Sequence, residues 1–160
     1  MLIAFALILF SLPDVPHAQA RNPIRPLTPG PCNLVSRAEI EQVLGQEVGV
    51  AQEAFLSPGS TCSYAGTYGE VTISLQRLQD KPDIAGELRN MQSAVSGSCV
   101  REASGFGPSA FILDIGESGA QLHLIRAERE YLMISVLGFG NASRAAPLAE
   151  AIARKALGRM

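Results

Sequence analysis

Three strongly apolar segments in the second half of the chain restrict its fold more than any other feature. "SAFILDI", "AQLHLIRAE" and "YLMISVLGF" each have the length of a strand, and only the short polar turns "GESG" and "ERE" separate them. A parallel pair would need a much longer crossover connection, so these strands are expected to pair antiparallel. The pattern predicts a meander whose last strand, apolar on both faces, lies centrally and is covered on each side.

An alternating segment earlier in the chain predicts two further strands. In "TCSYAGTYGEVTISLQRL", Val71, Ile73 and Leu75 alternate with polar residues after a Gly-containing turn. This alternation is typical of an antiparallel sheet that has one face in water. We therefore predict an antiparallel sheet of about five strands.

Three helices are predicted beside this sheet. Ser36, followed three residues later by Glu39, has the pattern of a capping box, and Gly45 is placed to end the first helix. "KPDIAGELRNMQSAV", residues 81–95, carries an apolar stripe at helical spacing, and Ser143 is placed to cap a third helix. The order helix, two strands, helix, strand meander, helix defines an α+β domain.

The first twenty residues have the pattern of a secretory signal peptide. An apolar run from Leu2 to Leu12 is followed by Ala18-Gln19-Ala20, a small-x-small cleavage pattern. As a helix the run would reach only about 16 Å, well short of a bilayer core of about 30 Å, so a retained anchor is not expected. We predict export to the periplasm or the extracellular space, with cleavage after Ala20 and no membrane span in the mature chain.

Composition sets the organisation of the remaining chain. Residues 21–31 contain four prolines and are expected to form an extended arm, and residues 32–160 are expected to form one α+β domain. The chain has 13 basic and 15 acidic residues, and only Asp14 of these lies in the leader, so the mature net charge is −1. This balance lacks the basic patch of a nucleic-acid-binding protein, and no nucleic-acid partner is expected.

The cysteines do not fit a metal or redox motif. Cys32, Cys62 and Cys99 are widely separated, and His123 is the only histidine after the leader. No standard zinc spacing and no Cys-x-x-Cys pair are present, so we predict neither a metal site nor a cofactor. His123 itself, within "QLHLI", is expected to be an ordinary exposed strand residue.

A structural disulfide is the remaining interpretation of the thiols in an oxidising compartment. Three cysteines allow three pairings, and each leaves one thiol free. We expect Cys32 to pair with Cys62, because that bond would tie the N-terminal arm to a strand, although a Cys62–Cys99 bond remains open. Cys99 is then expected to be the free thiol, buried as a small hydrophobic residue.

Two short motifs resemble functional sites without their structural context. "GFGPSA", from Gly105 to Ala110, matches the spelling of a dinucleotide-binding fingerprint, but a predicted strand follows it where the phosphate-binding helix is required. Asp114 precedes the "GESG" turn and Glu117 lies within it, where solubility explains acidic residues without catalysis. We therefore predict no catalytic residue.

Several motifs together resemble a known group of proteins. "CNLV" before a helix that ends at Leu44-Gly45, then "CSY", "GFGPSAF" and "LHLIRAEREYLMISVLG", is similar to actinobacterial envelope lipoproteins of unknown function and their soluble relatives. The resemblance spans most of residues 31–157 and implies a PsbP/Mog1-like α+β domain without known catalytic residues. "LTPGPC" has prolines where a lipobox needs apolar and small residues, so lipidation of Cys32 is not expected.

Two functional hypotheses follow from these observations. The first is a non-catalytic exported module that binds another envelope protein or a small ligand. The alternative is a thiol-dependent enzyme or redox-active protein that uses Cys99 with His123, which requires the two side chains to lie within hydrogen-bond reach.

Overall fold

The computed structural model describes residues 29–56, 59–80, 99–107, 109–127 and 129–160, together with the single residues 83, 86, 90 and 93. Within these residues, the elements with defined bounds are one sheet, two α-helices and two short 3-10 turns. In chain order they are a 3-10 turn over Pro31–Asn33, α1 over Arg37–Leu44, β1 over Gln52–Leu56, β2 over Gly59–Ala65, β3 over Glu70–Arg77, β4 over Cys99–Glu102, β5 over Ala110–Asp114, a 3-10 turn over Gly116–Ser118, β6 over Gly119–Arg126, β7 over Glu130–Leu137 and α2 over Ala142–Leu157.

All seven strands form one antiparallel sheet in the order β1-β2-β3-β7-β6-β5-β4. Two meanders, β1 to β3 and β4 to β7, meet at the long β3–β7 pair. The last strand of the chain therefore lies in the middle of the sheet, as its apolar sequence predicts. On one of its faces Leu132, Ile134 and Val136 are fully buried.

The prediction of about five strands and three helices was wrong. The sheet has seven strands, and the described part of the chain contains two α-helices, so the fold is a more sheet-rich α+β domain. The five predicted strands are the five inner ones, and the two that were missed, β1 and β4, are the two edges. An edge strand has one neighbour and buries little, so "QEAFL", exposed at all five positions, carries no alternating signal.

Several sequence predictions fall outside the described residues. The signal peptide, residues 21–28 of the arm and most of the predicted helix over residues 81–95 are among them. Within the described residues, no helix has both the length and the apolar character needed to cross a bilayer.

The start and end of α1 match the sequence prediction. The backbone N–H of Glu39 donates to the Ser36 hydroxyl, and the Glu39 carboxylate accepts from the Ser36 backbone N–H at 2.9 Å. Gly45, with φ of 70°, ends the helix in the left-handed conformation that favours glycine. Val35 and Ile40 are fully buried on either side of the cap, consistent with a hydrophobic staple.

Helix α2 covers one face of the sheet and begins two residues earlier than predicted. Its N-cap is Asn141, whose side-chain oxygen accepts from the Arg144 backbone N–H, whereas the Ser143 hydroxyl donates to Asn141. The helix contacts β5, β6 and β7 through a face made largely of alanine. Small side chains allow the helix to lie close to the strands, and Ile152 is the largest fully buried side chain of the helix.

Two sets of hydrogen bonds hold the N-terminal segment against this core, one buried and one nearer the surface. The Tyr64 hydroxyl on β2 donates to the Val35 carbonyl at 2.5 Å, and both residues are fully buried. Arg159, just beyond α2, donates to the Leu34 carbonyl at 2.7 Å and to Glu39 at 2.8 Å. The first and last parts of the domain are therefore fixed to each other.

Candidate functional site

Part of the sheet face opposite α2 is lined by uncharged polar side chains. The pleat turns Val71, Ile73 and Leu75 of β3 toward the core, so the residues between them point to the other face. Cross-strand pairing places Ser63, Thr72, Ser135 and Gln121 in one row across β2, β3, β7 and β6. We call these four residues, with Thr61 and Ser74 of the neighbouring row, the polar sheet face.

Hydrogen bonds along the polar sheet face link neighbouring strands. The hydroxyls of Ser63 and Thr72 lie 3.4 Å apart, and Gln121 Nε2 donates to the Ser135 hydroxyl at 3.3 Å. Four strands at about 4.8 Å spacing make the row roughly 14 Å long. Ser63, Thr72 and Gln121 are partly exposed, so their remaining donor and acceptor positions can be reached from outside.

His123 continues the polar sheet face at the β5 side. It pairs across the strands with Met133 of β7 and with Phe111 of β5. The imidazole and the Phe111 ring are stacked, with centroids 4.7 Å apart and planes inclined by 4°. His123 is only 2% exposed, so the prediction of an exposed strand histidine was wrong. Its burial lowers the pKa to about 4, so the ring is neutral at pH 7.

The two nitrogens of His123 have different environments. Nδ1 forms a hydrogen bond with the Tyr131 hydroxyl on β7. Nε2 is buried and has no hydrogen-bond partner among the residues that the structure describes. A neutral imidazole with one nitrogen occupied offers the other as a single directed donor or acceptor, depending on which nitrogen carries the proton.

The sequence predicts which sheet face His123 lies on, but not which side chains surround it. The alternation of Leu122, His123 and Leu124 assigns His123 to the face opposite the core, and the structure agrees. The alternation does not show which side chains lie beside it, because Phe111 and Tyr131 come from other strands. The register of β5, β6 and β7 supplies these neighbours, and their rings are what flank the imidazole.

Two of the three cysteines form the expected pair. Cys32, in the first 3-10 turn, is bonded to Cys62 on β2, with a Cα–Cα distance of 5.0 Å. Cys62 is fully buried on the core face, so the bond fixes the N-terminal segment to the sheet interior. Cys99 is free, but it is exposed on β4, contrary to the expected burial. β4 is an edge strand, so it has a neighbouring strand, β5, on one side only.

The structure does not bring Cys99 and His123 together. His123 lies opposite Phe111, which lies opposite Glu102, whereas Cys99 lies three residues from Glu102 and pairs with Asp114. An odd separation along a strand puts the two side chains on opposite faces of the sheet. They are also two strands apart, at about 4.8 Å per strand, so they do not form a nucleophile–base pair.

The other two motifs have structural roles. Asp114 accepts a hydrogen bond from the Gly116 backbone N–H at 2.7 Å and so forms the turn before β6, while Glu117 is exposed in that turn. Gly105 and Gly107 have positive φ values of 84° and 92° and precede β5. The strand replaces the helix N-terminus that would hold a pyrophosphate.

Comparison with known proteins adds no further assignment. No protein family, curated protein or solved structure matches this chain. Among the described residues, no group of three or more His, Cys, Asp or Glu side chains is arranged to hold a metal ion. The hydrogen-bonding groups of the polar sheet face and the adjacent His123–Tyr131 pair constitute the candidate functional site.

Proposed function

We propose that this protein is an exported, non-catalytic binding module that holds a small neutral ligand on the polar sheet face. The observation that carries the proposal is Nε2 of His123, a buried nitrogen without a hydrogen-bond partner in the described part of the chain. An unpaired polar atom in the interior is unfavourable, and a ligand atom that reached Nε2 after a shift of the surrounding side chains would remove that penalty.

The chemistry of the surrounding side chains favours a neutral ligand. Ser63, Thr72 and Gln121 supply hydroxyl and amide groups, each of which both donates and accepts hydrogen bonds. The residues of the polar sheet face are uncharged and His123 is neutral at pH 7, while the nearby Glu70 carboxylate accepts a hydrogen bond from the Thr72 hydroxyl at 3.4 Å. An anionic ligand would therefore lose water and meet a like charge without gaining a cationic partner. A saccharide or a blocked peptide presents the matching array of donors and acceptors.

The separation of the reactive groups supports a binding role over catalysis. The thiol of Cys99 and the imidazole of His123 lie on opposite sheet faces, so neither activates the other. The Cys32–Cys62 bond ties the N-terminal segment to the core, a structural use of sulfur that is compatible with an oxidising compartment and an exported protein.

A chemical-shift titration of the ¹⁵N-labelled mature protein tests the proposal. We would add a panel of neutral monosaccharides and disaccharides and of N-acetylated dipeptide amides, and follow the backbone and Gln side-chain amides. We expect saturable shifts centred on Ser63, Thr72, Gln121 and His123 for at least one member. The ligand should be recovered chemically unchanged after prolonged incubation.

Two glutamine variants provide a matched comparison for the same titration. Gln121→Ala removes an amide from the polar sheet face and should weaken binding about tenfold or more, whereas Gln46→Ala removes an exposed amide after α1 and should leave it unchanged. Saturable shifts centred elsewhere, equal affinity in both variants, no saturable binding across the panel, or chemical conversion of the ligand would contradict the proposal.

A further inference from the structure

The free edge of β1 is the most exposed apolar part of the described chain. All five residues of Gln52–Leu56 are exposed, with Phe55 at 75% and Leu56 at 60%. Among the strands that the structure describes, β1 pairs only with β2, so alternate backbone N–H and C=O groups on its other side have no strand partner there. The strand keeps an unbroken register with β2 over its whole length, so no bulge turns this edge away.

The opposite edge of the sheet is protected in a way that β1 is not. β4 carries Arg101 and Glu102, which point to opposite faces of the sheet, and Arg101 lies 3.9 Å from Glu150 of α2. Charged residues on an edge strand oppose pairing with another chain. β1 has one charged residue, Glu53, on the core side, and no charge on the other side.

We propose that β1 is the interface through which a second copy of this chain extends the sheet. In an antiparallel pair centred on Ala54, Glu53 of each copy faces Phe55 of the other, and Gln52 faces Leu56. All five residues then pair with about four to six backbone hydrogen bonds. The result is a symmetric dimer in which the sheets of the two copies join at their β1 edges and form one continuous sheet.

In this register, the side chains of two β1 strands are compatible with each other. The two Glu53 carboxylates are not directly opposite each other, so no like charges meet in a cross-strand pair. The two Phe55 rings lie on the same face as diagonal neighbours, roughly 7–8 Å apart at the backbone, which is within reach of aromatic side chains. Burial of Phe55 and Leu56, the largest exposed side chains of the strand, supplies the apolar contribution.

The N-terminal arm of the same chain is a poor alternative occupant of this edge. Pro23 and Pro26 lie within residues 21–28, and proline has no N–H to donate to a strand pair. β1 itself contains no proline and no lysine. The β1 strand of a second copy can therefore form more backbone hydrogen bonds with this edge than the arm can.

Sedimentation equilibrium of the mature protein over a wide concentration range tests the interface. A Cys99→Ser background removes disulfide exchange between chains without reducing the Cys32–Cys62 bond. We expect a reversible monomer–dimer equilibrium. Phe55→Glu places a carboxylate opposite the partner's Glu53 and should raise the dissociation constant tenfold or more. Phe55→Glu combined with Glu53→Lys creates an attractive pair and should restore dimerisation.

A matched control changes an exposed aromatic residue away from the edge. Tyr68 lies in the turn between β2 and β3 and is 82% exposed. The Tyr68→Glu variant should dimerise as the parent protein does. Circular dichroism and thermal unfolding establish that each variant is folded. A parent protein that stays monomeric at the highest concentration, a dimer that Phe55→Glu leaves intact, or failure of the charge exchange to restore dimerisation would overturn the proposal.

Discussion

Arg159 and Glu39 form an ion pair of 2.8 Å that joins the segment after α2 to the first turn of α1. The hydrogen bond from Arg159 is the largest cause that holds the pKa of Glu39 near 2, followed by the backbone and side-chain hydrogen bonds from Ser36. Lys155 adds a more distant positive charge at 3.9 Å. This cluster connects helix α1 to the C-terminal end of helix α2 and the segment after it.

The first prediction concerns the acid stability of this cluster. Above about pH 4.5, Glu39 is ionised in both the folded and unfolded chains; between about pH 4.5 and 2 it is protonated only in the unfolded chain, so the free energy of unfolding falls as the pH falls. Because the cluster is near the surface, its contribution is about 1 kcal/mol. Urea titrations at several pH values should show a weaker acid dependence in Arg159→Ala, and a change of equal size in Arg37→Ala would contradict this role.

The second prediction concerns the disulfide. Replacing Cys32 and Cys62 together with alanine should lower the free energy of unfolding by about 3–4 kcal/mol, because the bond closes a loop of about 30 residues in the unfolded chain. Urea unfolding of the mature protein gives this value directly. Cys99→Ser should change it by less than about 0.5 kcal/mol, since that side chain is exposed and unpaired. Equal effects of the two changes would refute the assignment.

The third prediction concerns His123. The pKa is about 4 in the folded protein and 6.5 in an unfolded chain, so between these values only the unfolded state binds the proton. The free energy of unfolding should therefore fall by about 1.4 kcal/mol per pH unit as the pH drops from 6.5 to 4. His123→Phe keeps an aromatic ring without a titrating group, so its free energy of unfolding should depend less on pH between 6.5 and 4. A wild-type profile that is already flat there would contradict the buried, neutral imidazole.

The fourth prediction distinguishes the two possible caps of α2. Asn141→Ala should lower the free energy of unfolding by about 1 kcal/mol, because its side chain accepts from the Arg144 backbone N–H. Ser143→Ala should have a smaller effect, since the Ser143 hydroxyl only donates to Asn141. Thermal unfolding of the two variants measures the difference, and the reverse order would restore Ser143 as the cap.

How much of the fold the sequence predicts depends on how much each element buries. Ile73 and Ile134 pair on the core face of two inner strands. The alternation around Ile73 and the continuous apolar run around Ile134 made these strands recognisable. Phe55 on β1 and Arg101 on β4 belong to edges whose few residues are mostly exposed, so periodicity gave no indication of them. The strand count was therefore too low at both ends of the sheet.

The candidate site depends on register, which a single sequence does not determine. His123 could be assigned to the face opposite Leu122 and Leu124, but its burial was not predicted, and the Phe111 and Tyr131 rings beside it come from neighbouring strands. The N-cap of α2 was predicted at Ser143, whereas the structure has Asn141 as the cap, and Ala142 and Ala145 behind it are buried. "NAS" contains two residue types that cap helices well, so the local sequence alone does not identify the cap.

The imidazole of His123 offers the most direct measurement of the central claim that the polar sheet face binds a neutral ligand. A long-range ¹H–¹⁵N correlation spectrum reports on Nδ1 and Nε2 separately. In the free protein we predict a neutral ring that titrates near pH 4, and at saturation with the bound saccharide or dipeptide we predict a change at Nε2 while Nδ1 keeps its bond to Tyr131. A ring that titrates near 6.5 in the free protein, or resonances that the saturating ligand leaves unchanged, would contradict the account.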